Sequence, residues 1–228
     1  MNGSSWWPPR SLRSTSRAEA LTLALVLLCS VGVSTAGDEG PLEVLERLGR
    51  TLRGQAAWTA TYDQEYLPAG MTVGESAEGS VWVAWPDRAR FSTGRPPVRE
   101  MALDGRSVRL VDLELDTCDD HRVSDDEWAR IPLAAVLDPR GTIDRFTLVE
   151  AEGGVELVPR VPGGVARVVL WVGADGMPAR VVVVDVQGAE NRLEFHDWRP
   201  SRGPPGGLWL PEPPPGVTCA ADATQPSP

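Results

Sequence analysis

The chain has 228 residues, with 32 acidic side chains against 22 basic ones, the latter all arginine, and a formal net charge of -10 at pH 7. So acidic a protein is a poor partner for nucleic acid or for an anionic membrane surface, both of which would repel it. Nine tryptophans in a chain that is 42% hydrophobic supply enough apolar surface for a core or for the lining of a lipid-sized pocket.

Residues 1–36 read as a targeting segment. Arg10, Arg13 and Arg17 form a basic leader, and the apolar run Leu21–Val33 is too short to span a bilayer comfortably. Ser34-Thr35-Ala36 then offers small residues to a signal peptidase, so cleavage is expected after Ala36, leaving one domain over 37–228. Loss of three arginines and Glu19 would move the formal charge from -10 to -12. Leu28 is bulky where a lipidation signal wants a small residue, which argues against lipidation at Cys29. Export would place the two remaining cysteines, Cys118 and Cys219, in an oxidising compartment where a disulfide is possible; sequence leaves their distance open.

After Pro41, the spacing of Leu42, Leu45, Leu48 and Leu52 puts four leucines on one stripe of an amphipathic helix that Gly54 ends. Trp58–Gln64 alternates as a strand, with Trp58, Ala60 and Tyr62 on one side. Further strands are expected at Gly79–Ala84, from Arg88, at Val98–Leu103 and at Ser107–Leu115, and Asp104-Gly105 is a hairpin signal. Cys118–Asp126 reads as a polar connection. Ser124 and Glu127 have capping-box spacing before a helical face of Trp128, Ile131, Leu133, Val136 and Leu137. Strands resume after Asp138-Pro139 as Phe146–Glu150, Val155–Pro159 and Ala166–Val172. A hairpin follows, with limbs Val181–Val184 and Arg192–His196 around Asp185-Val186-Gln187-Gly188. Its second limb sets Leu193 and Phe195 against Arg192, Glu194 and His196. The proline-rich stretch from Pro200 to Val217 reads as an extended wrapping segment, and Ala220–Pro228 as a loose end.

Catalytic signals are weak. His196 lies on a polar strand face, and Cys118-Asp119-Asp120-His121 offers metal-ligand atom types with no second cluster to complete a site. No serine-nucleophile elbow, phosphate loop or two-histidine zinc motif occurs, so neither enzyme activity nor a cofactor is expected. Asp112, Glu114, Asp116, Asp119 and Asp120 read as a solvated edge that deters strand-to-strand aggregation. The residues therefore describe a mainly β domain with short helices over one apolar sheet face, enclosing a core or a dry cavity.

From Leu42 to Val217 several marks fall in order. They are Trp58-x-Ala60-x-Tyr62-x-Gln64, Gly79-x-x-Trp82 followed by Pro86 and Phe91, Asp104-Gly105, Leu157-x-Pro159, Asp185-x-x-Gly188 with Asn191 and Phe195, and Pro214-Pro215-Gly216-Val217. Together they resemble the periplasmic outer-membrane lipoprotein carrier family (LolA-like). The resemblance implies a half-open antiparallel β-barrel with a helical lid over a hydrophobic cavity that shields acyl chains without catalysis. The lid would be Leu42–Leu52 and Trp128–Leu137, and the cavity would draw on Trp58, Tyr62, Trp82, Phe91, Leu133, Leu137, Trp171 and Phe195. Implied partners are acylated lipoproteins, an inner-membrane lipoprotein-releasing ABC complex and an outer-membrane lipoprotein receptor, with the carrier itself a monomer. The family commonly has a basic residue before the strand-breaking proline to latch the lid; here Trp85 stands there, so the latch, if present, differs. Two alternatives remain: a lipid- or lipoprotein-binding sensor on the same fold, and a structural β domain with a filled interior.

Overall fold

The computed structural model describes residues 39–124 and 139–221. The leader, Ala36 included, and Trp128–Leu137 with Leu133 and Leu137 lie outside the described residues.

Helix α1 runs Pro41–Arg53, with proline at its start, and the Glu43 carboxylate in its first turn accepts the Gly40 N–H at 3.1 Å. Arg50 and Arg53 sit in the last turn, so charges at both ends oppose the helix dipole. Leu45, Leu48 and Leu52 are buried, as an amphipathic stripe requires.

The strands are β1 (Ala57–Leu67), β2 (Glu75–Ala84), β3 (Arg88–Thr93), β4 (Arg99–Asp104), β5 (Ser107–Asp112) and β6 (Thr117–Arg122). After helix α2 (Pro139–Arg145) come β7 (Phe146–Ala151), β8 (Gly154–Pro159), β9 (Val165–Val172), β10 (Pro178–Asp185), β11 (Glu190–Ser201) and the short β12 (Ala220–Ala221). They form one sheet in the order β12-β6-β5-β4-β3-β2-β1-β11-β10-β9-β8-β7, antiparallel except for β12 against β6. The fold is mainly β. Two meanders, β2–β6 and β7–β11, meet at β1, and the outermost strands β7 and β12 do not pair with each other, so the curled sheet stays a half-open barrel.

β11 carries one extra residue opposite β1: Thr59 faces Arg199, whereas Thr61 faces His196. The bulge sits at Asp197, in the left-handed region at φ 57, which aspartate tolerates better than most residues. Strict alternation from Phe195 would turn Trp198 outward; the extra residue brings both rings to the concave face, with centroids 5.5 Å apart.

Strands resume at Phe146 as expected, after a short helix that Pro139 opens at a position where its missing N–H costs nothing. Three expectations are corrected. The polar stretch from Cys118 is largely strand β6, held by pairing with β5 on one side and β12 on the other. The end is not loose from Ala220, because Ala220 and Ala221 pair with Asp119 and Asp120. The acidic series is not simply solvated either: Asp112 pairs with Arg99 and Asp120 with Arg109 on neighbouring strands.

The outer face of β3–β6 is covered by the chain after β11. Arg90 donates to Leu208 O at 2.7 Å, Arg109 donates to Pro211 O at 3.1 Å, and Arg88 lies 5.9 Å from the Trp209 ring centroid. Cys118 and Cys219 are bonded, with Cα atoms 4.4 Å apart. Beneath this strap Ala102, Val111 and Cys118 are buried, as is Pro211 of the strap itself.

Candidate functional site: an apolar cavity on the concave face

Strand pairing defines rows of side chains across the concave face, since partners in register point the same way. One row reads Ala60, Val81, Phe91, Met101 and Leu110; the next, towards the α1 end, includes Val83, Ala89, Leu103 and Val108. On the other side of β1, Leu157, Val168 and Val183 make one row, and Val155, Leu170, Val181 and Leu193 another. Between them lies a cavity of about 1070 Å³, lined mostly by these apolar groups together with Leu52 of α1, Tyr62, Phe195 and Trp198.

The cavity is apolar at one end and polar at the other. Trp198 lines the apolar end beside Pro178, whose carbonyl accepts its indole N–H at 2.7 Å. Polar lining gathers where the strands meet the loops after β1, β3 and β5: Gln64, Asn191, Glu75, Arg99, Asp112, Thr117 and Asp119. Gln64 donates to Asn191 at 2.8 Å, and Arg99 donates to Asp112 at 2.9 Å. Two backbone N–H groups, of Leu115 and Glu114, and the Arg99 guanidinium hold the Asp112 carboxyl below its ordinary range.

Tyr62 is buried on the central strand, its hydroxyl 2.6 Å from Thr93 Oγ1. Burial pushes its phenol above the usual range, against the opposing effect of that hydrogen bond, so the group stays neutral. Gly79 opposite it has no alternative, because a Cβ there would meet the Tyr62 ring at 2.6 Å. Phe91 meets Tyr62 edge-on, with centroids 5.7 Å apart.

Of the residues expected at the cavity, Tyr62, Phe91 and Phe195 line it. Three do not. Trp58 packs against the core beside α1 and donates its indole N–H to Leu52 O at 3.2 Å. Trp82 alternates with Val81 and Val83, which face the cavity, so its ring points to the other side of the sheet. Trp171 likewise alternates with Leu170; its indole donates to Glu152 O, and Arg180 lies 5.1 Å above its ring. Trp85 is outside the lining but in contact with the helix, since Arg53 of α1 lies 4.7 Å from its ring centroid. Met101, Leu110, Leu170 and Trp198 were not expected. Alternation across the Asp104-Gly105 hairpin points to the first two, whereas Trp198 depends on a bulge that no local motif announces.

A family model described as "Outer membrane lipoprotein carrier protein LolA" matches residues 53–206, the span that contains all eleven long strands. The chain belongs to the LolA family. It is 28% identical over 202 residues to the outer-membrane lipoprotein carrier protein of Halorhodospira halophila, covering 87% of this chain and 92% of that one. The corresponding protein of Xanthomonas campestris pv. campestris is 26% identical over 185 residues, with 78% and 84% covered. Among solved structures, an uncharacterized conserved protein from Thermus thermophilus aligns at 16% identity and a TM-score of 0.47, over 79% of this chain and 98% of that one. Most of α1 and the strap that ends in Cys219 fall outside the span that the LolA model matches.

Proposed function

We propose that this chain is a non-catalytic periplasmic carrier that shields the acyl chains of lipoproteins during transfer from the inner to the outer membrane. The observation that carries this reading is the cavity of about 1070 Å³ on the concave face, apolar at one end and polar at the other. A chain with a filled interior would have no such space, which disfavours a purely structural role. Export with cleavage after Ala36 would deliver a single domain, 37–228, to the periplasm. Acyl chains would lie along Phe91, Met101, Leu110 and Phe195, while the acylated polypeptide leaves past Gln64 and Asn191. Cargo would arrive from a lipoprotein-releasing ABC complex and pass to an outer-membrane lipoprotein receptor.

Magnitude constrains the mechanism. Burying a CH₂ is worth roughly 0.8 kcal/mol, so a sixteen-carbon chain fully enclosed would contribute on the order of 12 kcal/mol. Several such chains would pass the practical affinity ceiling and never be released. Partial exposure of Met101 and Leu110, 45% and 46%, keeps the enclosure incomplete and release feasible. At the apolar end α1 is held by Trp58 against Leu52 O and by Arg53 over Trp85. In this latch the cation comes from the helix, and the strand end supplies the aromatic face.

The test is displacement of a naphthalene-type fluorophore from delipidated protein by a diacylated peptide. Displacement at micromolar peptide, with no effect of the unacylated peptide, is the expected result. No displacement at that concentration would remove the carrier reading.

A further inference from the structure

One row of partners in register marks where the cavity changes character. Phe195, Tyr62, Gly79, Thr93, Arg99 and Asp112 stand opposite one another on β11, β1, β2, β3, β4 and β5. Deeper than this row lie the apolar rows through Phe91 and Ala89; outward of it lie Gln64, Asn191 and Glu75. Gly79 leaves the room that lets the Tyr62 ring lie across β2 and reach β3, where its hydroxyl comes within 2.6 Å of Thr93 Oγ1. Arg99 and Asp112, in the same row, are bound to each other.

The Tyr62 and Thr93 hydroxyls each carry one hydrogen, and together they make one hydrogen bond. The tyrosine is 2% exposed, and a buried O–H has to find an acceptor, so its hydrogen goes to Thr93. The Thr93 hydrogen is then left over: among the described residues no acceptor is in reach of it. Thr93 is only half-buried and lines the cavity, so this spare donor faces whatever lies there. The ligand group that fits it is an uncharged acceptor. A carboxylate or phosphate would be placed beside Glu75, Asp112 and Asp119, whose charge opposes it. An ester carbonyl carries no charge, and it stands at the head of an acyl chain whose hydrocarbon occupies the deeper rows.

We propose that Thr93, held by Tyr62, is a carbonyl-reading site: its O–H donates to the ester carbonyl of a bound acyl chain, fixing how deep the chain sits and favouring neutral esters over carbonyl-free or anionic lipids. Thr93 is the contacting group. Tyr62 is the positioning one, since the phenol gives its hydrogen to Thr93 Oγ1 and leaves the threonine hydrogen to the cavity. Donation in a chain also polarises the second hydroxyl. The proposal deepens the carrier reading by naming what the cavity recognises besides hydrocarbon, and it rests on that reading for the acyl chain itself.

The experiment uses the full mature chain, delipidated. It reads displacement of the naphthalene-type fluorophore by methyl laurate, dodecyl methyl ether and laurate, which differ at the head of the chain. Apolar transfer alone would favour the ether over the ester. We expect the reverse, with methyl laurate about fivefold tighter than the ether, the size of one hydrogen bond, and laurate weaker than the ester. Thr93→Val should remove the preference for the ester and Tyr62→Phe should reduce it. Thr61→Val, next to Tyr62 but on the outer face, should leave it unchanged. The infrared carbonyl band of bound methyl laurate should lie lower in wild type than in Thr93→Val, a difference that a purely structural threonine would not produce. Ester and ether binding alike in wild type, laurate binding as tightly as the ester, a preference that survives Thr93→Val, or an unshifted carbonyl band overturns the proposal. If both neutral probes still displace the fluorophore, the carrier reading stands without it. If neither they nor the diacylated peptide displace it, the carrier reading falls and this site with it.

Discussion

The two halves of the sheet are stabilised from opposite sides. On β7–β9 the inner face is the more fully covered: Leu45, Leu48 and Leu52 of α1 join Phe146, Val155, Leu157, Val168 and Leu170 in a continuous core, of which Leu52, Leu157, Val168 and Leu170 also form one wall of the cavity. On β3–β6 the inner face keeps Met101 and Leu110 partly in water, while the outer face buries Ala102, Val111 and Cys118 under the strap. A sheet must cover at least one face to be stable. Covering β3–β6 from outside therefore allows the inside to remain vacant. The wall of a binding cavity and the brace that holds it need not be on the same side.

The outer brace gives the largest expected effect. Cys118 and Cys219 close a loop with a sequence separation of 101, and a loop of that length confers on the order of 4 kcal/mol in the chain-entropy account. Reduction, or serine at both positions, should lower unfolding stability by about that amount in urea titrations. An unchanged midpoint under reductant would mean the strap braces nothing. Next is the inner brace. Leu48→Ala removes a side chain with no solvent exposure and should cost about 3 kcal/mol, measured in the same way. A cost under about 1 kcal/mol would show that α1 is only loosely seated.

How much of this asymmetry is legible in the sequence differs by element. The leucine stripe of α1 and the alternation along β1, β2 and β11 are local patterns, and they lead directly to the more fully covered half and to Tyr62, Phe91 and Phe195. Trp82 lies outside the lining for a local reason: Val81 and Val83 oppose it in the alternation, so its indole faces outward. β6 was hidden because Cys118-Asp119-Asp120-His121 has the composition of a loop. It pairs because Arg109 meets Asp120 across the strands and because β12, far away in sequence, lies alongside. The strap's course is likewise set by contacts over a hundred residues apart, Arg90 with Leu208 and Arg109 with Pro211, and no periodicity encodes those.

A smaller effect concerns acid. The Asp120 carboxyl is held below the usual carboxylate range first by its hydrogen bond from Arg109, against some desolvation. A lowered native pKa means that the folded chain takes up this proton less readily than the unfolded one. The contribution is present above the unfolded value near 4 and is lost as pH falls through the native value. The pair is partly exposed, so screening limits it to about 1 kcal/mol or less. Comparing urea midpoints at pH 6 and pH 3, Asp120→Asn should be weaker than wild type at pH 6 and closer to it at pH 3. A constant gap would assign the loss to packing instead of charge.

The smallest effect on stability is the one most specific to the vacant half. Met101 and Leu110 are opposite each other on β4 and β5, inside the cavity yet nearly half exposed. Truncating both to alanine removes little that folding had buried, so the stability change should stay within about 0.5 kcal/mol. A ligand lying against them would lose that contact, and fluorophore affinity should fall about tenfold. The two readouts separate the roles that a residue can have on a concave sheet. A large stability loss would mean that the side chains belong to a core and the cavity is smaller than it looks. Unchanged stability with unchanged affinity would place the ligand elsewhere, on the α1 side of β1. Only intact folding with weakened binding fits a wall braced from behind and left open in front.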